Sequence, residues 1–108
     1  MRTILPWDVE TIVKSVEKTG RLVIVHEASQ TGGVGAEISA EIQKRCFLKL
    51  KAPVRRITAW EYVLILHDFR IFRLTTSSFS VPAALSYEKF LIPDPVRIMD
   101  GVMDTLSY

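Results

Sequence analysis

Residues 22–60 read LVIVHEASQTGGVGAEISAEIQKRCFLKLKAPVRRITAW. Leu22-Val23-Ile24-Val25 is apolar without alternation, the pattern of a strand covered on both faces in a parallel sheet. His26 and Glu27 follow at its carboxyl end. Gly32-Gly33 and Gly35 then turn the chain into a helix. Val34, Ile38, Ile42 and Cys46 recur every four residues, so they share one face and point at the sheet. Glu37, Glu41 and Lys44 take the opposite, wet face. Pro53 leads into a second strand, Val54 to Trp60.

Working outward, Asp8 is placed to cap a helix, and Glu10 suits the positive end of its dipole. Val9, Ile12, Val13 and Val16 form one apolar stripe, with Lys14, Glu17 and Lys18 facing water. Gly20 supplies the left-handed stop. Before this helix, Thr3-Ile4-Leu5 reads as the tail of a strand whose start is missing. Near the other end, Asp94 caps a helix with Pro95 in its first turn. Val96, Met99, Val102, Met103 and Leu106 make its apolar stripe. Helix, strand, helix, strand, helix predicts an α/β domain with a parallel sheet and right-handed crossovers. A three-strand remnant of such a sheet leaves an edge and an apolar face uncovered. Residues 62–80, YVLILHDFRIFRLTTSSFS, fit this plan badly: they hold no Gly, no Pro and no helix stripe. Phe69 to Leu74 suits an edge strand by pattern alone.

The chain has 108 residues, enough for one domain. Hydrophobic residues make up 48% and charged residues 24%, which excludes a disordered chain. A net charge of +2 with scattered Lys and Arg argues against a nucleic-acid surface. The single Cys46 cannot form an internal disulfide, and a reducing compartment fits. No apolar run approaches membrane-spanning length. The stretch MRTILPWD has neither a signal peptide's apolar core nor a transit peptide's Arg- and Ser-rich character.

Few residues carry chemistry. His26 and Glu27 are neighbours on a strand, so they point to opposite faces and do not form an acid–base dyad. Loop-anchoring hydrogen bonds or a subunit contact suit them better. Thr31-Gly32-Gly33-Val34-Gly35 precedes a helix and is a generic place for an anion. It lacks the spacing of a P-loop or dinucleotide fingerprint. Cys46 lies on an apolar stripe and reads as an inert buried thiol. His67 has no partner at metal-ligand spacing. Arg55-Arg56 read as solvated or locally paired. Trp7, Trp60 and the three methionines read as core or interface.

The motifs RTILPWDVETIVKSVEKTGR, HEA, TGGVGAEI, APVRRITAW and YEKFLIPD, taken in order, resemble the C-terminal domain of the beta subunit of thiamine-diphosphate-dependent 2-oxo acid dehydrogenases. HEA followed by TGG favours the branched-chain type. Pyruvate dehydrogenase relatives more often carry a double Glu there, and pyruvate- or acetoin-type beta subunits are the rival reading. An independent α/β interaction module without catalysis is the rival from another class. The resemblance implies a three-layer, parallel-sheet, transketolase C-terminal-like domain over residues 1–108, N-terminally truncated. It implies an intact enzyme that oxidatively decarboxylates branched-chain 2-oxo acids and passes the acyl group to lipoyl-lysine. That enzyme holds thiamine diphosphate elsewhere, so no cofactor, metal or catalytic residue is expected in this chain. The implied partners are an alpha subunit and a second beta subunit in a heterotetramer. A lipoyl acyltransferase core joins them through its subunit-binding domain; no nucleic acid or membrane is implied. Gly32, Gly33 and Gly35 are the implied subunit-contact turn, and Tyr108 the implied contact with the acyltransferase core. The compartment is the mitochondrial matrix in a eukaryote and the cytoplasm otherwise.

The resemblance breaks after Trp60-Glu61. The family runs into Trp-Asp-x-Pro and then Glu-Lys-Phe; here Tyr62 to Ser80 intervene before Val81-Pro82. These residues read as a translated intron. Glu61-Tyr62-Val63 can be spelled GA followed by the splice donor GTATGT. Leu74-Thr75 can encode a branch point, and Phe79-Ser80 can spell TTCAG followed by T. Joining GA to T restores Asp, and the chain would read TAWDVPAALSYEKF. A genuine lineage-specific loop is the alternative.

Overall fold

Asp8 starts the first helix as its sequence requires. Its carboxylate accepts the Thr11 amide at 3.0 Å and the Thr11 hydroxyl at 2.6 Å. These two bonds hold the Asp8 carboxyl below its ordinary range. In the computed structural model, which describes residues 1–59 and 92–108, α1 spans Val9–Thr19 and stops at Gly20, with φ of 70°. Strand β1 spans Val23–Ser29, α2 Val34–Cys46, and β2 Arg55–Ala59, with a short 3₁₀ turn at Phe47–Lys49. Helix α3 spans Pro95–Leu106; the Asp94 carboxylate accepts the Arg97 amide at 2.8 Å.

The two strands pair in parallel, with Val23 opposite Arg55, Ile24 opposite Arg56 and Val25 opposite Ile57. Paired residues share a face, and alternate residues divide between faces. Ile24 therefore joins Val16, Ile38, Ile42 and Cys46 in the core beneath α1 and α2. Ile42 and Val16 are the largest fully enclosed side chains. Each contributes about 1.5–3 kcal/mol by leaving water. Trp7, Ile12, Val13, Val34 and Val54 pack around them. Arg45 ties the two helices together: its Nη1 donates to Glu10 Oε1 at 3.0 Å and its Nε to Glu41 Oε1 at 2.6 Å. The other face of the sheet carries α3, giving three layers.

Four features depart from the sequence expectation. Thr3-Ile4-Leu5 forms no strand: no described strand runs beside it, and Leu5 is exposed. The described sheet has two strands rather than three. Strand β1 is covered only in part on its α3 face, where Val25 remains 45% exposed. The strand also runs on to Ser29, so His26 and Glu27 lie inside it rather than at its end. The register shifts between Val25 and Ser29, and the strand recovers its partner at Ala59.

Helix α3 differs most. Its buried residues are Gly101 and Thr105. Of the residues read as the packing stripe, Val96, Met99, Met103 and Leu106 stand 68%, 60%, 58% and 57% exposed, and Val102 is half-buried. The reason is close approach. A Cβ on Gly101 would overlap the end of the Ile57 side chain, so the bare glycine lets the helix axis sit low on the sheet. Polar bonds then fix it. Arg21 Nε donates to the Thr105 carbonyl at 3.0 Å, and Arg97 Nη2 to the Thr58 carbonyl at 3.0 Å. The Arg21 guanidinium sits at the helix's negative end. Residues 62–80 and the Trp60, His67 and Glu-Lys-Phe readings lie outside the described residues.

Candidate functional site

The glycine turn joins β1 to α2. Gly32 takes a φ of 72°, a left-handed conformation that an ordinary side chain rarely adopts. Gly33 and Gly35 are glycine for a different reason. A Cβ on Gly33 would run into the Ser29 carbonyl and lie 2.7 Å from His26 Cε1. A Cβ on Gly35 would lie 2.7 Å from His26 Cδ2 and 3.3 Å from Ile24 Cγ2. The imidazole thus occupies the space left by two missing side chains. Ser29 Oγ donates to the Thr31 carbonyl at 2.8 Å, and the Ala36 amide to the Gly33 carbonyl at 3.0 Å.

His26 does anchor this turn, but not through hydrogen bonds as the sequence suggested. Both ring nitrogens are buried without a hydrogen-bond partner. Burial, and secondarily the Arg56 guanidinium, push the imidazole below its ordinary pKa. Glu27 is exposed. Arg56, which sequence reasoning left as a generic charge, donates from Nη1 to the Gln30 carbonyl at 3.0 Å and so grips the same turn. Arg55 pairs with Asp104 across to α3 at 3.1 Å. Nothing in the local sequence marks Arg56 as a turn-holding residue; only the pairing of β1 with β2 brings it there.

Two open grooves flank the sheet. One of about 410 Å³ runs along β1, lined by Ile12, Val16, Leu22, Ile24, Val34 and Ile38. The other, about 570 Å³, is polar and includes Gln30, Arg55, Arg56, Arg97 and Asp100. Thr11, Ser15 and His26 also line the first groove, but neither His26 nitrogen is hydrogen-bonded to a hydroxyl, so no activated nucleophile is formed there. Among the described residues no His, Cys, Asp or Glu cluster could hold a metal ion. Cys46 is buried among aliphatic side chains, as its stripe position implied. No described helix is long and apolar enough to cross a membrane.

The outer face of α3 is the other feature. Val96, Met99, Met103 and Leu106 fall at i, i+3, i+7 and i+10 and form one open apolar row; Tyr108, past the end of the helix, is also exposed. Of the residues expected to meet partners, Gly33 and Gly35 are buried against His26, whereas Gly32 and Tyr108 are exposed.

Residues 1–70 match the family model described as transketolase, C-terminal domain. The full chain is 44% identical to the mitochondrial 2-oxoisovalerate dehydrogenase subunit beta of Dictyostelium discoideum over 108 residues, covering 24% of that protein. It is 40% identical to the mitochondrial 2-oxoisovalerate dehydrogenase subunit beta 2 of Arabidopsis thaliana over 108 residues, covering 25% of it. It is 51% identical over 59 residues, 55% of the chain, to the pyruvate dehydrogenase E1 component subunit beta of Staphylococcus epidermidis, of which the match covers 18%. The chain spans about a quarter of the length of the two mitochondrial relatives.

Proposed function

The chain belongs to the transketolase C-terminal domain family, and from that premise we propose that it is an assembly domain of a branched-chain 2-oxo acid dehydrogenase beta subunit. In this reading the intact enzyme decarboxylates branched-chain 2-oxo acids oxidatively and delivers the acyl group to lipoyl-lysine. The chain contributes surfaces: toward an alpha subunit, toward a second beta subunit, and toward the acyltransferase core's subunit-binding domain. The mitochondrial matrix is the proposed compartment, in keeping with the names of the two relatives matched along the full chain. The observation that carries the reading is the outward apolar row on α3, since a lone domain gains nothing by exposing four large side chains in register.

Thiamine diphosphate supplies the carbanion chemistry of such enzymes. The described residues do not fit it. A diphosphate needs a cation held by oxygen donors, and no described acidic cluster provides them. The space beneath Gly33 and Gly35 is filled by His26. No chemical step is therefore assigned to these residues.

A pyruvate-type beta subunit is the second reading, favoured by the 51% identity to the staphylococcal protein. Co-expression with alpha subunits of each type separates the two, because the matching one should co-purify. Tight thiamine diphosphate binding by the chain alone, measured by calorimetry, would refute the assembly role. Residues 62–80 remain proposed as a translated intron. Sequencing the gene and its spliced transcripts checks this; transcripts that retain those codons would sink it.

A further inference from the structure

His26 and Arg56 reach one turn from neighbouring strands. Arg56 holds it by a hydrogen bond to the Gln30 carbonyl. His26 holds it by shape, with its ring under Gly33 and Gly35. Neither ring nitrogen has a hydrogen-bond partner. A neutral imidazole tolerates that position at modest cost. An imidazolium does not, because it carries two donors and a charge that need acceptors or water. Its surroundings offer no relief. The groove it borders presents Thr11, Ile12 and Ser15 from α1 and Val34 and Ile38 from α2; its charged members are Arg21 and the amino-terminal Met1, both cationic, and among the described residues no carboxylate lines it. The neighbouring strand β2 presents Arg56, a like charge. Glu27, next along β1, is exposed to water.

We propose that His26 is a pH-sensitive latch on the turn Gln30–Gly35. The neutral ring fills the glycine void and holds the turn against β1. Protonation drives the ring out toward water, and the turn loses its filler while Arg56 retains only one backbone bond. The sign follows from linkage. The folded state binds the proton more weakly than the unfolded chain, so the latch is fully closed above the ordinary histidine value of 6.5. It weakens as pH falls from there through the lowered folded value. The device is independent of the assembly reading, since every group in it lies within this chain.

Nuclear magnetic resonance on the full chain tests it. In a His67→Asn background one histidine reports, and its Cε1 proton is followed from about pH 8 to about pH 5, across the histidine range. The His26 midpoint should fall below the ordinary value, and the Gly32, Gly33 and Gly35 amides should shift with the same midpoint. Their protection from hydrogen exchange, taken relative to the intrinsic rate at each pH, should fall on acidification by about tenfold for each pKa unit of depression. His26→Gln should abolish the pH dependence of those amides, and Arg56→Gln should raise the His26 midpoint. Glycine amides that still titrate in His26→Gln overturn the proposal. So does a His26 that titrates at or above the ordinary value with the turn unmoved; that wild-type result decides the matter even if the variant does not fold.

Discussion

The two faces of the sheet use opposite packing logic. On one side, α1 and α2 turn their aliphatic stripes inward, and Val16, Ile42 and Cys46 are sealed. On the other, α3 turns Gly101 and Thr105 inward and Val96, Met99, Met103 and Leu106 outward. The first arrangement is a core. The second is a close-set helix whose side chains remain available to another molecule. Hydrophobic periodicity reports that a helix has something to bury; it does not report whether the burial partner is the same chain.

Substitutions on each side should separate the two arrangements. Ile42→Ala should cost about 2–5 kcal/mol in urea unfolding, because it opens a cavity between α1, α2 and the sheet. A loss under about 1 kcal/mol would mean that face is loosely packed, contrary to the fully enclosed Ile42. Gly101→Val should cost about 1–3 kcal/mol by forcing a branched side chain against Ile57. The damage should stay local: amide protection in α3 should fall while protection in α2 holds. Arg55→Ala removes the exposed pair to Asp104 and should cost about 0.2–1 kcal/mol, less in high salt. Met99→Ser with Met103→Ser should change the stability of the isolated chain by less than about 0.5 kcal/mol, since both side chains already face water. A large loss there would show that α3 packs through its stripe after all.

Much of the α1–α2 side was legible because its signals are local. Asp8, Gly20 and the four-residue spacing from Val34 to Cys46 each fix structure through neighbours a few positions away. Asp94 and Pro95 marked the start of α3 for the same reason. The facing of α3 was not legible, because Ile98, outside the stripe, is apolar too, and it sits half-buried near Gly101 together with Val102, the one stripe member that does. Two apolar arcs competed, and the choice rests on how close Gly101 can come to Ile57, a contact across 44 positions. The glycine turn was read as a generic anion site from its place before a helix, and as a partner contact from the family resemblance. Its occupant is His26, and only folding shows that the ring and the two glycines are complementary in volume. Strand β1 was read as ending at Val25 because His and Glu interrupt the apolar run; backbone pairing carries it to Ser29 regardless of side chains.

The central claim is that the outward row of α3 is an assembly surface. Native mass spectrometry of the chain co-expressed with a branched-chain alpha subunit tests it most directly, comparing the wild type with Met99→Asp combined with Met103→Asp. The account predicts a complex with the wild type, no complex with the double variant, and closely similar thermal unfolding of the two isolated chains. A complex that survives both charges intact would contradict it.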